Sequence, residues 1–369
     1  MLYPRVEVEY SFINRGNSPF PSGFAERLKT EVTKMACLSL TVEEKQYLCE
    51  TCYFMTPVYL DFLEHYRFNS EEVFIDQTDG DLNVSIKGPW YKTILWEVPL
   101  MAIISELYFI MTNARPVTHE KQKAINLKKT RLLSENNIHF ADFGTRRRFS
   151  SKGHKTLIKN ILAIEHNTLI GTSNVNLARY FKIKPIGTVA HEWFMFHAVL
   201  NGYRMANITA IDAWIRVFHG DLGIALTDTF TTDFFLSTFD TMHAKLFDGV
   251  RQDSGDPFEF TEKIIQHYKK LHIDPITKTI VFSDGLDIKK VIDIHKYCKN
   301  RIRDSYGIGT NLTNDVGVIP LNMVIKLAKC RTLPGKSMHN AIKLSDDKEK
   351  NTGIREELDH CINVLNRNF

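Results

Sequence analysis

Between residues 138 and 311, short apolar runs repeatedly break into small, acidic or amide residues, and a helix-like pattern follows each break. Ile138-His139-Phe140-Ala141 runs into Asp142-Phe143-Gly144-Thr145-Arg146-Arg147, and Thr168-Leu169-Ile170 into Gly171-Thr172-Ser173-Asn174. Gly223-Ile224-Ala225-Leu226 leads to Thr227-Asp228-Thr229, and Ile280-Val281-Phe282 to Ser283-Asp284-Gly285. Gly249-Val250-Arg251-Gln252-Asp253-Ser254-Gly255-Asp256-Pro257 and Tyr306-Gly307-Ile308-Gly309-Thr310-Asn311 repeat the pattern more weakly. Strands buried on both faces read as short apolar runs, and strands alternating with helices imply parallel βα units. A wound or barrel-like α/β domain follows, with its ligand site outside the carboxyl ends of the strands, where these polar residues fall.

The first part of the chain reads differently. Val6, Val8, Tyr10 and Phe12 alternate as a strand, helical patterns follow over 23–35 and 42–54, and a second strand is read over 82–87. The apolar stretch 96–111 predicts a helix packed on the neighbouring domain. We therefore expect an N-terminal α+β domain over 1–115, an α/β domain over 116–328 and a C-terminal tail, 329–369, packed on either. The longest apolar stretch, 98–111, is too short to span a bilayer.

Composition adds little. The 369 residues are 43% hydrophobic and 24% charged with a formal charge of +4, ordinary values for a globular protein. Lys and Arg cluster over 121–131, 146–148 and 289–299, but no interleaved aromatics make a nucleic-acid platform. Six cysteines are too sparse for a disulfide scaffold, and Cys49-Glu50-Thr51-Cys52 has no second pair to complete a zinc site. Reduced thiols, the absence of a signal-peptide pattern and the lack of a long apolar run predict a cytoplasmic protein.

Gly187-Thr188-Val189-Ala190-His191-Glu192-Trp193 sets one histidine among small residues just past a short apolar run. That setting suits a nucleophilic or phosphate-accepting imidazole, although a histidine hydrogen-bonded at a strand end fits it too. His191-Glu192 is not a zinc-protease motif, because the position four residues after His191 is Met195. Neighbouring residues share no face of a helix or strand, so Glu192 is not expected to orient His191. Asp228 is the partner we favour. Arg146 and Arg147 offer planar donors for a carboxylate or phosphate, and Arg251 with Asp253 would hold a phosphate and a sugar diol. Gly307-Ile308-Gly309-Thr310 lacks the third glycine of a dinucleotide fingerprint, yet suits a phosphate cradle.

Taken in order, Phe143-Gly144-Thr145-Arg146-Arg147, Gly171-Thr172-Ser173-Asn174, Gly187-Thr188-Val189-Ala190-His191-Glu192-Trp193, Arg251-Gln252-Asp253-Ser254-Gly255-Asp256-Pro257 and Gly307-Ile308-Gly309-Thr310 resemble the motif series of the nicotinate phosphoribosyltransferases. The resemblance implies an irregular or incomplete α/β barrel beside an α+β domain, as a homodimer with active sites at the subunit interface. It implies transfer of phosphoribose from phosphoribosyl pyrophosphate to nicotinate, with Mg²⁺ as cofactor and ATP hydrolysis coupled through a phosphohistidine. Carried over by motif, His191 would be phosphorylated, with Asp228 beside it, while Phe143, Arg146 and Arg147 would face nicotinate. Arg251, Asp253 and Asp284 would hold ribose and phosphate, Gly307, Gly309 and Thr310 the 5′-phosphate, and Thr172 and Ser173 the pocket wall. No metal ligand is assigned.

Family members carry near their start an Asp-x-Tyr-Lys-like stretch whose tyrosine stacks on nicotinate. The first forty residues here hold none, which predicts a shortened chain or another group in that place. The alternatives are a nicotinamide-using relative and a non-catalytic homologue that binds phosphoribosyl ligands.

Overall fold

The computed structural model describes residues 3–366. Its strands form two separate sheets. Five make an antiparallel sheet in the order β11-β10-β1-β3-β2, where β1 is Glu7–Asn14, β2 Val73–Thr78, β3 Asp81–Pro89, β10 Met323–Arg331 and β11 His339–Asn340. The alternation read in the sequence buries Val8 and Tyr10 of β1 against the helix Phe24–Lys34 and the helix Glu97–Met111. The strand read over 82–87 is β3, and it turns through Asp79-Gly80, both at positive φ, into β2. Asp-Gly suits such a hairpin turn, because both central residues must adopt positive φ.

The other six strands are parallel, in the order β5-β4-β9-β8-β7-β6: β4 is Phe140–Asp142, β5 Leu169–Thr172, β6 Ile224–Leu226, β7 Gly249–Gln252, β8 Thr279–Phe282 and β9 Arg303–Ile308. That order is the chain order read around a ring and cut between β5 and β6. It describes a barrel that does not close. At the cut, the loop 184–186 runs beside Thr172, which bonds Lys184 O and Ile186 N. Pro185, Ile186 and Gly187 therefore form no strand. His191 opens the helix His191–Asn201 instead of ending a strand, contrary to the sequence expectation.

This helix joins the two halves. Phe194 and Ala198 pack into the core of the parallel sheet, while Met195 and Phe196 pack into that of the antiparallel sheet. Each buried phenylalanine contributes roughly 1.5–3 kcal/mol, so the residue that starts the helix is firmly placed. The chain crosses back as well: β10 pairs with β1 from Glu7↔Arg331 to Asn14↔Met323, so a boundary at 328 would cut through a strand of the N-terminal sheet.

The helical run over Trp90–Met111 starts earlier than its sequence pattern indicates, and by length and composition it is long enough to cross a membrane. Leu100, Met101, Ile104 and Leu107 are nevertheless core residues, and Ser105 Oγ donates to Arg148 O at 2.8 Å across the junction.

Candidate active site

The carboxyl ends of the parallel strands converge on His191. Its Nε2 lies 2.9 Å from Asp228 Oδ1, just past β6, and 3.7 Å from Asp253 Oδ2, just past β7. The second oxygen of Asp228 accepts from Ser254 Oγ (2.6 Å), Lys343 Nζ (2.8 Å) and Ser345 Oγ (3.4 Å). His191, Asp228 and Lys343 are all buried. Burial would raise the Asp228 carboxyl, but His191 and Lys343 hold it well below its usual range. Burial first, then Lys343, pushes His191 down to about 4 against the pull of Asp228. The imidazole is therefore neutral at physiological pH. With Nε2 facing an ionised carboxylate, its proton belongs on that nitrogen, and the Nδ1 lone pair is free.

Asp253 directly follows β7. It is half-buried, and its Oδ1 accepts from Arg251 Nη2 and Ser283 Oγ, both at 2.8 Å. Arg251 is committed through all three nitrogens, because its Nε donates to Ser283 Oγ (2.8 Å) and its Nη1 to Thr188 Oγ1 (2.6 Å). In this state it buttresses the loops around His191. Asp284 pairs with Lys350, whose Nζ also donates to Asp253 O at 2.9 Å.

On the other side of the cleft, Asp142 organises the loop that carries the expected base-binding residues. Its Oδ1 accepts from Gly144 N (2.8 Å), and its Oδ2 lies 2.5 Å from His154 Nε2 and from Thr172 Oγ1. Thr172 is fully buried in that contact, whereas Ser173 is half-buried with its Oγ 3.1 Å from Thr145 Oγ1. Arg146 is exposed and pairs with Glu97 Oε1 at 2.7 Å. Arg147 reaches Asn322 Oδ1 only at 3.5 Å.

Gly307 was expected to let a phosphate approach, but it makes room for the Phe143 ring. A Cβ at Gly309 would meet only Phe143 O, at 3.7 Å, and Thr310 begins the short helix Thr310–Thr313.

Sequence reading missed Lys343, Ser345, Glu97 and Lys326. Lys343 stands alone as a charge in the run Ala341-Ile342-Lys343-Leu344, and a lysine in an apolar run is a sign of a buried, paired cation. Lys326, on β10, is half-buried, and its ammonium makes no hydrogen bond or ion pair among the described residues; burial is the main cause that lowers it to about 8.

A neutral imidazole, a carboxylate that orients it and uncommitted cations at the open end of a parallel sheet define an α/β-barrel enzyme. A model of the nicotinate phosphoribosyltransferase family matches residues 138–368, and a model of that family's N-terminal domain matches residues 1–105. The chain is 74% identical over its full length to nicotinate phosphoribosyltransferase of Desulforapulum autotrophicum, covering 94% of that protein. It is 48% identical to that of Chromohalobacter salexigens, over 98% of this chain and 93% of that one. The crystal structure of nicotinate phosphoribosyltransferase from Porphyromonas gingivalis superposes with a TM-score of 0.97 at 42% identity, covering 99% of this chain and 95% of that one. The chain belongs to the nicotinate phosphoribosyltransferase family.

Proposed function

We propose that this enzyme transfers the phosphoribosyl group of phosphoribosyl pyrophosphate to the ring nitrogen of nicotinate, and that ATP drives the reaction by phosphorylating His191. The pyridine nitrogen attacks C1 of the ribose as the C1–O bond to pyrophosphate breaks, giving nicotinate mononucleotide. Positive charge builds on the sugar as the leaving group departs, so catalysis needs cationic charge at the pyrophosphate and a base held in line. Lys326 and Arg147 are lightly committed cations beside the cleft. Phe143 and Arg146 suit the base, and Asp253 the ribose hydroxyls. Arg146 favours nicotinate over nicotinamide, since a carboxylate gains a charge-assisted bond that a neutral amide cannot match.

The observation that carries the ATP coupling is the placement of His191: neutral, oriented by Asp228, and first in a helix of 11 residues. In the coupling step Nδ1 attacks the γ-phosphorus and ADP leaves; water later takes the phosphoryl group from His191 as inorganic phosphate. The positive end of the helix dipole favours the added negative charge.

Mg²⁺ would arrive on the polyphosphate. His191, Asp228 and Asp253 bring ligand atoms within 4.8 Å of one another, but donors already occupy both Asp228 oxygens and one of those donors is an ammonium. This trio does not fit a resident cation. We place the enzyme in the cytoplasm, in line with its six free cysteines, and expect the homodimer that the family resemblance implies.

The test is labelling with γ-phosphate-labelled ATP. Wild type should take up acid-labile phosphate and His191→Ala none, while slow transfer without ATP persists in both. Equal labelling of the two proteins would show that His191 is not the acceptor.

A further inference from the structure

Asp228 does more than face His191. It is shared between an imidazole on one oxygen and a buried ammonium on the other. Lys343 reaches it from the C-terminal segment, which is pinned at several points. Lys343 and Thr352 exchange backbone bonds at 3.0 and 3.1 Å, Leu344 N donates to Thr229 O at 2.9 Å, and Thr231 N donates to Leu344 O at 2.9 Å. Those last two bonds tie the segment to the loop just after Asp228. The lysine is therefore delivered by the same backbone contacts that hold the carboxylate.

The charges near His191 come from several elements. Asp228 follows β6 and Asp253 follows β7; Arg251 pairs with Asp253, and Lys326 approaches from β10. Glu192, on the same helix as His191, turns away and accepts from Trp90 Nε1 at 3.2 Å. Arg251 answers Asp253, and Lys343 answers Asp228. Without Lys343, Asp228 would be an unbalanced buried carboxylate against an imidazole, the arrangement that favours imidazolium. An imidazolium has no lone pair for attack on phosphorus.

We infer that Lys343 is a positioning residue of this site: by pairing with Asp228 it balances the carboxylate that orients His191, so that the imidazole stays neutral and keeps a free nitrogen. The catalytic consequence rests on the phosphohistidine reading; the electrostatic relation rests on the geometry alone.

The experiment is a proton NMR titration of the unliganded protein, with the His191 signal among 14 histidines assigned by its loss in His191→Ala. In wild type His191 should not titrate between pH 8 and 5. In Lys343→Met its midpoint should rise by more than about one pH unit, and Lys343→Arg should behave as wild type. Lys343→Met combined with Asp228→Asn, which removes both charges, should return the midpoint to the acid side; a lysine that only props the loop would not give this reversal. If Lys343→Met does not fold, Lys343→Gln keeps a donor to Asp228 without the charge and should show the same rise. An unchanged midpoint in a folded, uncharged variant overturns the inference. The acid limb of ATP-dependent labelling should move to higher pH in the same variant. If wild type takes up no label, the phosphohistidine reading fails, and the titration still decides the role of Lys343.

Discussion

A Cβ placed on Gly307 would come within 2.4 Å of the Phe143 ring, so a glycine near the end of β9 is the seat of the aromatic side chain that follows β4. The backbone completes the arrangement, because Phe143 N donates to Ile308 O at 2.9 Å. Gly307→Ala should displace the ring at an overpacking cost of about 1–3 kcal/mol. The Michaelis constant for nicotinate should rise several-fold while that for phosphoribosyl pyrophosphate changes little. The opposite split would return Gly307 to the phosphate cradle.

Arg146 holds Glu97 through one nitrogen, and the rest of its planar fork remains available for a carboxylate. Arg146→Lys keeps the charge but loses the fork. We expect kcat/KM for nicotinate to fall about tenfold or more, equivalent to roughly 1.4 kcal/mol, with nicotinamide a poor substrate of both proteins. Equal turnover of the two bases by wild type would remove this assignment.

Asp253→Ala should raise the Michaelis constant for phosphoribosyl pyrophosphate, and the Arg251 and Ser283 contacts add a cost in stability. Leaving a half-buried guanidinium short of a partner costs about 1–3 kcal/mol. Asp253→Asn retains an acceptor for Arg251, so it should recover much of the stability without the carboxylate. Denaturant midpoints together with kinetics of both variants check the split.

His191 gives stability an acid dependence of known sign. Its folded value of about 4 lies below the ordinary 6.5, so between those pH values the unfolded chain binds the proton first and stability falls as pH falls. Between pH 7 and 5 wild type should lose about 2 kcal/mol that His191→Ala does not lose. Labelling by ATP should persist down to about pH 5 instead of declining near 6.5 as for an ordinary histidine. Parallel melting curves at pH 7 and 5 and a labelling profile test both statements.

Glu192 carries the opposite sign. Burial, with Glu97 nearby, raises it to about 7, so the folded protein favours its neutral form and stability falls as pH rises from about 4.5 through 7. Glu192→Gln can still accept from Trp90 and cannot ionise. It should be more stable than wild type at pH 8, by about 3 kcal/mol, and similar to it at pH 4.5. A melting-temperature difference independent of pH would show that Glu192 does not titrate in this range.

The sequence by itself determined the elements and the chemistry carried by contiguous residues. Apolar runs ending in polar residues mark buried parallel strands, because a strand covered on both faces must be apolar and its end must be polar. The runs at β4 to β9 were legible for that reason, as were the small-residue surroundings of His191 and the paired charges of Arg251 and Asp253. Periodicity does not show which strand neighbours which, nor where a ring of strands fails to close. The tertiary structure decided that 184–186 lies beside β5, that His191 starts a helix wedged between two cores, and that β10 leaves the barrel to join β1. It also decided the electrostatics. Lys343 is 115 residues from Asp228 in sequence, and Glu97 is 49 from Arg146. The effect of a charge on a buried imidazole depends on distance and desolvation, which neither motif nor spacing encodes.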